Sequence, residues 1–254
     1  MKRLAELNYP AKCYALLALG LLTAAGLKLV FDLQLLSGRR PYMFMFWNVF
    51  LAWLPVLFML GLDGAFLLRS APLRKIMILV FGALWLGFYP NAAYLVTDLL
   101  HMFANYQFDQ RSRFWQELPF WNHLLALLLT SVLGLLLGAF SLHSVHQLVS
   151  RSLGRLAGWM FALAILALSS FGIYMGRFVR WNSWDILTSP AMMARDLLGL
   201  ATDAAQLAHA ISFCGRMFAL TALTYLALYA FTGLKGNSPG KMLSGQNEGQ
   251  SGRP

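Results

Sequence analysis

Six stretches of nearly unbroken apolar residues, at about 13–36, 43–62, 75–98, 120–142, 156–178 and 214–234, set the pattern of the chain. Each is near or above the roughly 20 residues that a helix needs to cross a hydrocarbon core about 30 Å thick. Lipid offers no partner to a bare amide, so runs of this kind form helices. The pattern predicts an all-α fold, a polytopic membrane helix bundle of about six transmembrane helices. A short N-terminal segment (1–12) would precede a single transmembrane domain (13–235). The first run is longer than a signal-peptide core and lacks a small-residue cleavage site before the next span, which predicts a retained helix. The final stretch, 236–254, reads GNSPGKMLSGQNEGQSGRP. It has no apolar face to bury and is expected to be a disordered tail.

Between the fifth and sixth runs the period changes. Ser189 followed by Pro190 suits an N-cap and first helical position. Met193, Leu197, Leu200, Ala204, Leu207 and Ile211 then recur at helical spacing, with Arg195, Thr202, Gln206 and His209 on another face. This predicts one amphipathic helix over 189–212, lying on the outer interface or covering the mouth of the bundle.

Composition agrees with a lipid solvent: 59% of residues are hydrophobic and only 12% charged, against about a quarter charged in soluble domains. The formal charge of +10 would suit a nucleic-acid binder only if Lys and Arg formed a patch or stripe. Here they are scattered at the ends of the apolar runs, so no nucleic acid is expected and the charge is read as topology. With a cytoplasmic N-terminus, 11 of the 20 basic residues fall inside and eight outside, with Lys28 within the first span. The expected location is the bacterial plasma membrane, with both termini cytoplasmic. Cys13 and Cys214 would lie at opposite faces, too far apart for a disulfide.

Polar groups at membrane depth are costly, so their positions carry most of the functional signal. Two segments dominate, FYPNAAYLVTDLLH (Phe88 to His101) and SFGIYMGRFVRWNSWD (Ser170 to Asp185). Pro90 removes one helical hydrogen bond and predicts a kink, with Asn91 placed to satisfy the freed backbone. If helix resumes, Tyr94, Thr97, Asp98 and His101 share a face. A helix end emerging into water would also carry Asp98 and His101, but needs no Pro-Asn kink. In the second segment Arg177, Arg180, Trp181 and Trp184 fall three or four apart on a persisting helix. They suit either an interfacial Trp and Arg belt or anion recognition, for which the planar guanidinium is well shaped.

The third and fifth spans end on one side, where the second and fourth begin. One outer pocket would then collect Asn48, Asn91, Asp98, His101, His123, Arg177, Arg180, Asn182 and Asp185, with Tyr94 and Trp184 as further ligand contacts. Asp98, His101 and Asp185 are the candidate catalytic groups. No motif names a cofactor; the one opening for haem is that His101 and His123 share a side. No metal is expected. His143 and His146 form an HxxH pair at the inner end of the fourth span, with no third ligand nearby, and read as polar interface.

The strings YPNAAYLVTD (Tyr89 to Asp98) and SFGIYMGRFVRWNSWDIL (Ser170 to Leu187) resemble bacterial membrane proteins of the domain of unknown function family 1361. The likeness extends over roughly 40–235. Ala93 stands where proline usually follows the family's PNA triplet, which loosens the expected turn. The resemblance implies a membrane fold and these two segments, and brings no activity. Three functions stay open: a pocket for an anionic lipid headgroup or small anion, a membrane-embedded hydrolase or transferase acting on a lipid-linked substrate, and a structural subunit of a membrane complex, its Arg and Asp forming buried ion pairs. Serine is available at Ser183, but no nucleophile, phosphate-loop or zinc motif accompanies it.

Overall fold

The structure is a computed structural model that describes residues 7, 9–37, 42–106, 113–182 and 184–234. The expected tail over 236–254, Arg39, Arg40, Arg111 and Ser183 lie outside the described residues, as does nearly all of the segment before Tyr9. Every regular element described is helical, and six helices are long and apolar enough to cross a membrane. They begin with α1 (Ala11–Ser37) and α2 (Met43–Leu67).

The third span is composite: α3 (Ala71–Phe88), the single turn α4 (Pro90–Tyr94), a 3-10 stretch (Leu95–Leu100) and α5 (His101–Asn105). Then come α6 (Leu118–Leu153) and α7 (Arg155–Tyr174), which runs into a π turn (Met175–Val179). A short α8 (Asp185–Thr188), α9 (Pro190–Thr202) and α10 (Ala204–Leu234) complete the order.

The long α6 is the axis of the bundle. It packs against α1, α2, α7 and α10, and 56% of its most apolar window is buried, against 17–39% for the other spans. Those other helices turn residues such as Leu79, Leu156 and Leu223 outward, the pattern of helices solvated by lipid. Between helices, polar side chains find one another. Trp85 Nε1 donates to Ser141 Oγ at 2.6 Å and Trp53 Nε1 to Thr23 Oγ1 at 3.0 Å, because an unmet donor in hydrocarbon has no water to turn to.

Two expectations are corrected. The 189–212 stretch is not one helix: α9 ends at Thr202, and Asp203 Oδ1 accepts from the backbone N–H of Ala205 and Gln206. Those amides hold the Asp203 carboxyl below the usual carboxylate range, as an N-cap does. The last span therefore starts at Ala204, about three turns before the expected 214. At the start of α9, Ser189 takes the N-cap position without a side-chain bond.

The HxxH pair is not interfacial either. His146 is buried and bonds the Tyr225 hydroxyl through Nδ1 at 2.5 Å, with its ring against Trp159 and Tyr229. The indole and phenol rings of α7 and α10 cover what the sequence alone left facing water. At the same end Lys12 and Asp63 form a buried ion pair at 2.6 Å.

Candidate functional site

The site grows from the break at Pro90. Without an N–H at Pro90 the helical ladder shifts: Ala92 N–H bonds Tyr89 O at 3.3 Å, a tighter i→i+3 step. That leaves the Phe88 carbonyl free, and Asn91 Nδ2 donates to it at 3.0 Å. The backbone then continues as 3-10 helix through Leu100. Two neighbours hold the kink by coming unusually close. A Cβ at Gly134 of α6 would collide with the Ala92 carbonyl and the Leu95 side chain, and one at Gly172 of α7 would sit 2.8 Å from Pro90 Cγ. Ser131 Oγ also donates to the Leu95 carbonyl at 3.1 Å.

The tighter helix brings Tyr94, Thr97, Asp98 and His101 to a single cation, Arg177. Arg177 Nη2 donates to the Thr97 carbonyl at 2.7 Å, and Nη1 lies 3.5 Å from Asp98 Oδ1. The guanidinium carbon sits 5.8 Å from the Tyr94 ring centre, a cation–π distance. His101 Nδ1 is 3.4 Å from Arg177 Nη2. The same ring nitrogen lies 3.9 Å from Asp98 Oδ1. Asp98 is 1% exposed, and its Oδ2 accepts from Asn48 Nδ2 at 2.8 Å. One buried carboxylate thus ties the third span to the second and the fifth.

Arg177 and Arg180 do not share a helical face, contrary to expectation. The helix widens into the π turn, and Arg180 ends it in the left-handed region (φ 67°, ψ 34°), while Trp181 N–H closes onto the Met175 carbonyl at 3.2 Å. The reversal sends the two guanidiniums to different places. Arg177 enters the bundle, and Arg180 turns to the wall of a cavity of about 780 Å³. Trp181 Nε1 anchors the loop by donating to Asp196 Oδ2 of α9 at 2.8 Å.

This cavity fills the gap between α3 and α7, with α2 on one side and α4 as its inner wall. Its volume falls within the range of small-ligand sites. Asn48, Asn91, Tyr94, Arg180, Asn182 and Trp184 supply its polar or amphipathic groups, and Met193 of α9 reaches its mouth. The predicted ligand set therefore divides. Asn91, Tyr94, Arg180, Asn182 and Trp184 reach the cavity, whereas Asp98, His101 and Arg177 stand behind it, joined to it through Asn48 and the Tyr94 ring.

Asp185 belongs to neither group. Its Oδ2 accepts from the backbone N–H of Asn182 at 2.6 Å and closes the turn before α8. His123 pairs with the Tyr42 hydroxyl at 2.7 Å, where burial pushes that phenol up to about 12. Its ring packs on Tyr42 and Tyr106, while that of His101 lies against Phe44. Among the described residues no three His, Cys, Asp or Glu side chains stand close enough together to hold a metal ion.

Sequence reasoning missed two contributors to the site and one buried ion pair at the opposite end of the bundle. Gly134 and Gly138 form a small-x-x-x-small pair, the pattern that lets membrane helices approach closely. The Cβ of Ala92 is 3.5 Å from where a Cβ on Gly138 would be. Asp63, a lone carboxylate in an apolar run, was a signal for a buried partner. The link from Trp181 to Asp196 had no local signal, since it depends on the reversal at Arg180.

The family described as "Protein of unknown function (DUF1361)" matches residues 47–223. That range contains α3 to α9 and all of the cavity wall. No curated protein and no solved structure matches the chain.

Proposed function

The chain belongs to the DUF1361 family of proteins of unknown function, and we propose that this integral membrane protein binds an anionic amphiphile, with the charged group at Arg180 and the apolar part along α2, α3 and α7. The observation that carries this reading is the backbone at Arg180. A left-handed conformation costs an L-residue with a Cβ roughly 1–2 kcal/mol, and the position would suit glycine. An arginine kept there, aimed into a cavity of about 780 Å³, suggests that its side chain is needed. Strain of this kind clusters at ligand sites.

The ligand reaches the cavity from lipid, because the wall is otherwise apolar and aromatic, with Trp47 and Trp184 half exposed at its edge. The side facing out of the cell is taken from the expected topology. Asp98 and Arg177 act as the frame: Arg177 pairs with Asp98 Oδ1 at 3.5 Å and Asn48 donates to Oδ2, and together they fix the kink from behind. A catalytic role for Asp98, His101 or Asp185 has less support, since none of the three reaches the cavity wall.

Native mass spectrometry of the purified protein with phosphatidylglycerol and with neutral phosphatidylcholine tests the reading. Retention of the anionic lipid by the wild type, and its loss in a folded Arg180→Gly variant, is the expected result. Equal retention of the two lipids, or retention unchanged by Arg180→Gly, would overturn it.

A further inference from the structure

The three asparagines of the cavity carry information that the arginine does not. Asn48 Nδ2 donates to Asp98 Oδ2 at 2.8 Å, Asn91 Nδ2 to the Phe88 carbonyl at 3.0 Å, and Asn182 Nδ2 lies 3.4 Å from Asp185 Oδ2. A backbone carbonyl accepts and never donates, and so does a carboxylate facing Arg177, so these partners fix which end of each amide is nitrogen. The fold has thus used one of the two N–H donors of each amide. Among the described residues no protein donor reaches the Oδ1 of Asn48 or Asn182. The wall therefore offers amide oxygens as acceptors beside the Arg180 guanidinium, the Tyr94 hydroxyl, the indole N–H groups of Trp47 and Trp184 and several aromatic faces, a mixture that suits hydroxyls, which donate and accept.

A bare phosphate is all acceptor and gains nothing from amide oxygens; a hydroxyl donates to them. A simple cation would use the oxygens but is repelled by Arg180. Aromatic faces, including Trp47 and Trp184 at the rim, suit the C–H face of a saturated ring. Only a group that is anionic at one point and hydroxylated around a ring satisfies all three features.

We infer that the ligand carries a polyhydroxylated ring joined through a phosphoester, a sugar or cyclitol phosphate, with the phosphoester at Arg180 and the ring hydroxyls donating to Asn48 and Asn182. This rests on the anion reading above and adds the identity of the head group. The same chemistry exists in a glycophospholipid and in a free sugar phosphate, and the probes below separate them.

The test holds the protein in a sugar-free detergent and titrates four probes, read by native mass spectrometry and tryptophan fluorescence. The probes are phosphatidylinositol, phosphatidic acid with the same acyl chains, free inositol 1-phosphate and uncharged dodecyl glucoside. Phosphatidylinositol is expected to bind at least about tenfold more tightly than phosphatidic acid. Asn182→Ala should erase most of that preference and leave phosphatidic acid unchanged. Asn182 is exposed and keeps its backbone bond to Asp185, so the variant folds; Trp184→Leu is the second variant, removing a rim ring.

Equal binding of the two phospholipids, still lost in Arg180→Gly, would overturn the ring assignment and leave the anion reading standing. Binding of dodecyl glucoside equal to that of phosphatidylinositol and indifferent to Arg180→Gly would uphold the ring and overturn the anion. Binding of none of the four overturns both. Free inositol 1-phosphate binding as tightly as phosphatidylinositol supports the ring and assigns a soluble source; weaker binding supports it and assigns a lipid.

Discussion

Replacing Arg180 with glycine should make the protein more stable and less able to bind. At φ 67° and ψ 34° the arginine Cβ crowds the following carbonyl, a cost of roughly 1–2 kcal/mol. Glycine removes that cost but gives the unfolded chain more freedom, worth roughly 0.5–1 kcal/mol in the other direction. The balance is a gain of up to about 1.5 kcal/mol, or up to about 6 °C in the unfolding midpoint for a domain of this size. The guanidinium has no protein partner whose loss would offset that gain among the described residues, since it faces the cavity. A charge-assisted hydrogen bond to a bound anion is worth roughly 1.5–3 kcal/mol, so affinity should fall about ten- to a hundredfold. Thermal unfolding in detergent and phosphatidylglycerol titration measure the two arms on one sample. Arg180→Ala is the control: it keeps the Cβ, so it should lose binding without gaining stability. A glycine variant that unfolds earlier than wild type would refute the strain argument, and one that binds unchanged would refute the assignment of Arg180.

The frame behind the cavity responds differently. Arg177→Ala or Asp98→Ala leaves a buried charge unpaired and should each cost about 3–5 kcal/mol, seen as a collapse in folded yield; a double replacement costing less than the sum, in a double-mutant cycle, identifies the coupling. Gly134→Ala should destabilise by roughly 1–3 kcal/mol by overpacking the kink, although alanine is normally the better helix former, while Gly64→Ala, with nothing within 4 Å, should be neutral or favourable in the same melting assay. At the other end of the bundle, Asp63→Asn should release Tyr9 and Lys12, and limited proteolysis near the start of α1 should speed up. Tyr42 is raised from 10.0 to about 12 by burial; a raised phenol keeps its proton in the folded state, so its contribution is complete below pH 10 and is lost as pH rises toward 12. The phenolate absorbance that appears only well above pH 10 in the wild type should fall by one tyrosine in Tyr42→Phe.

Much of the architecture could be read from the chain because a membrane removes most alternatives. An apolar run of about 20 residues has few outcomes other than a spanning helix, and Pro90 cannot complete a helical ladder in any context. The kink, the rescue by Asn91 and the gathering of Tyr94, Asp98 and His101 followed from local backbone chemistry. The span ends were less legible. Leu118–Leu153 runs well past the expected 142, and the sixth span begins at Ala204, because helix continues for as long as neighbours cover it. The pairings of Lys12 with Asp63 and of His146 with Tyr225 join residues 51 and 79 positions apart, and no local window shows such partners.

The sequence by itself determined that this is a six-helix membrane protein, where its third span breaks, and which two segments hold most polar groups of the candidate site, since hydrocarbon penalises every unsatisfied amide and charge regardless of the rest of the fold. Only the tertiary structure decided how those groups divide. The spacing from Arg177 to Arg180 promises one helical face, yet a π turn and a left-handed residue send one guanidinium to the buried Asp98 and the other to the cavity. That choice depends on what Thr97, Asn48 and Asp196 offer from distant elements, and it separates the residues that hold the site from those that meet the ligand.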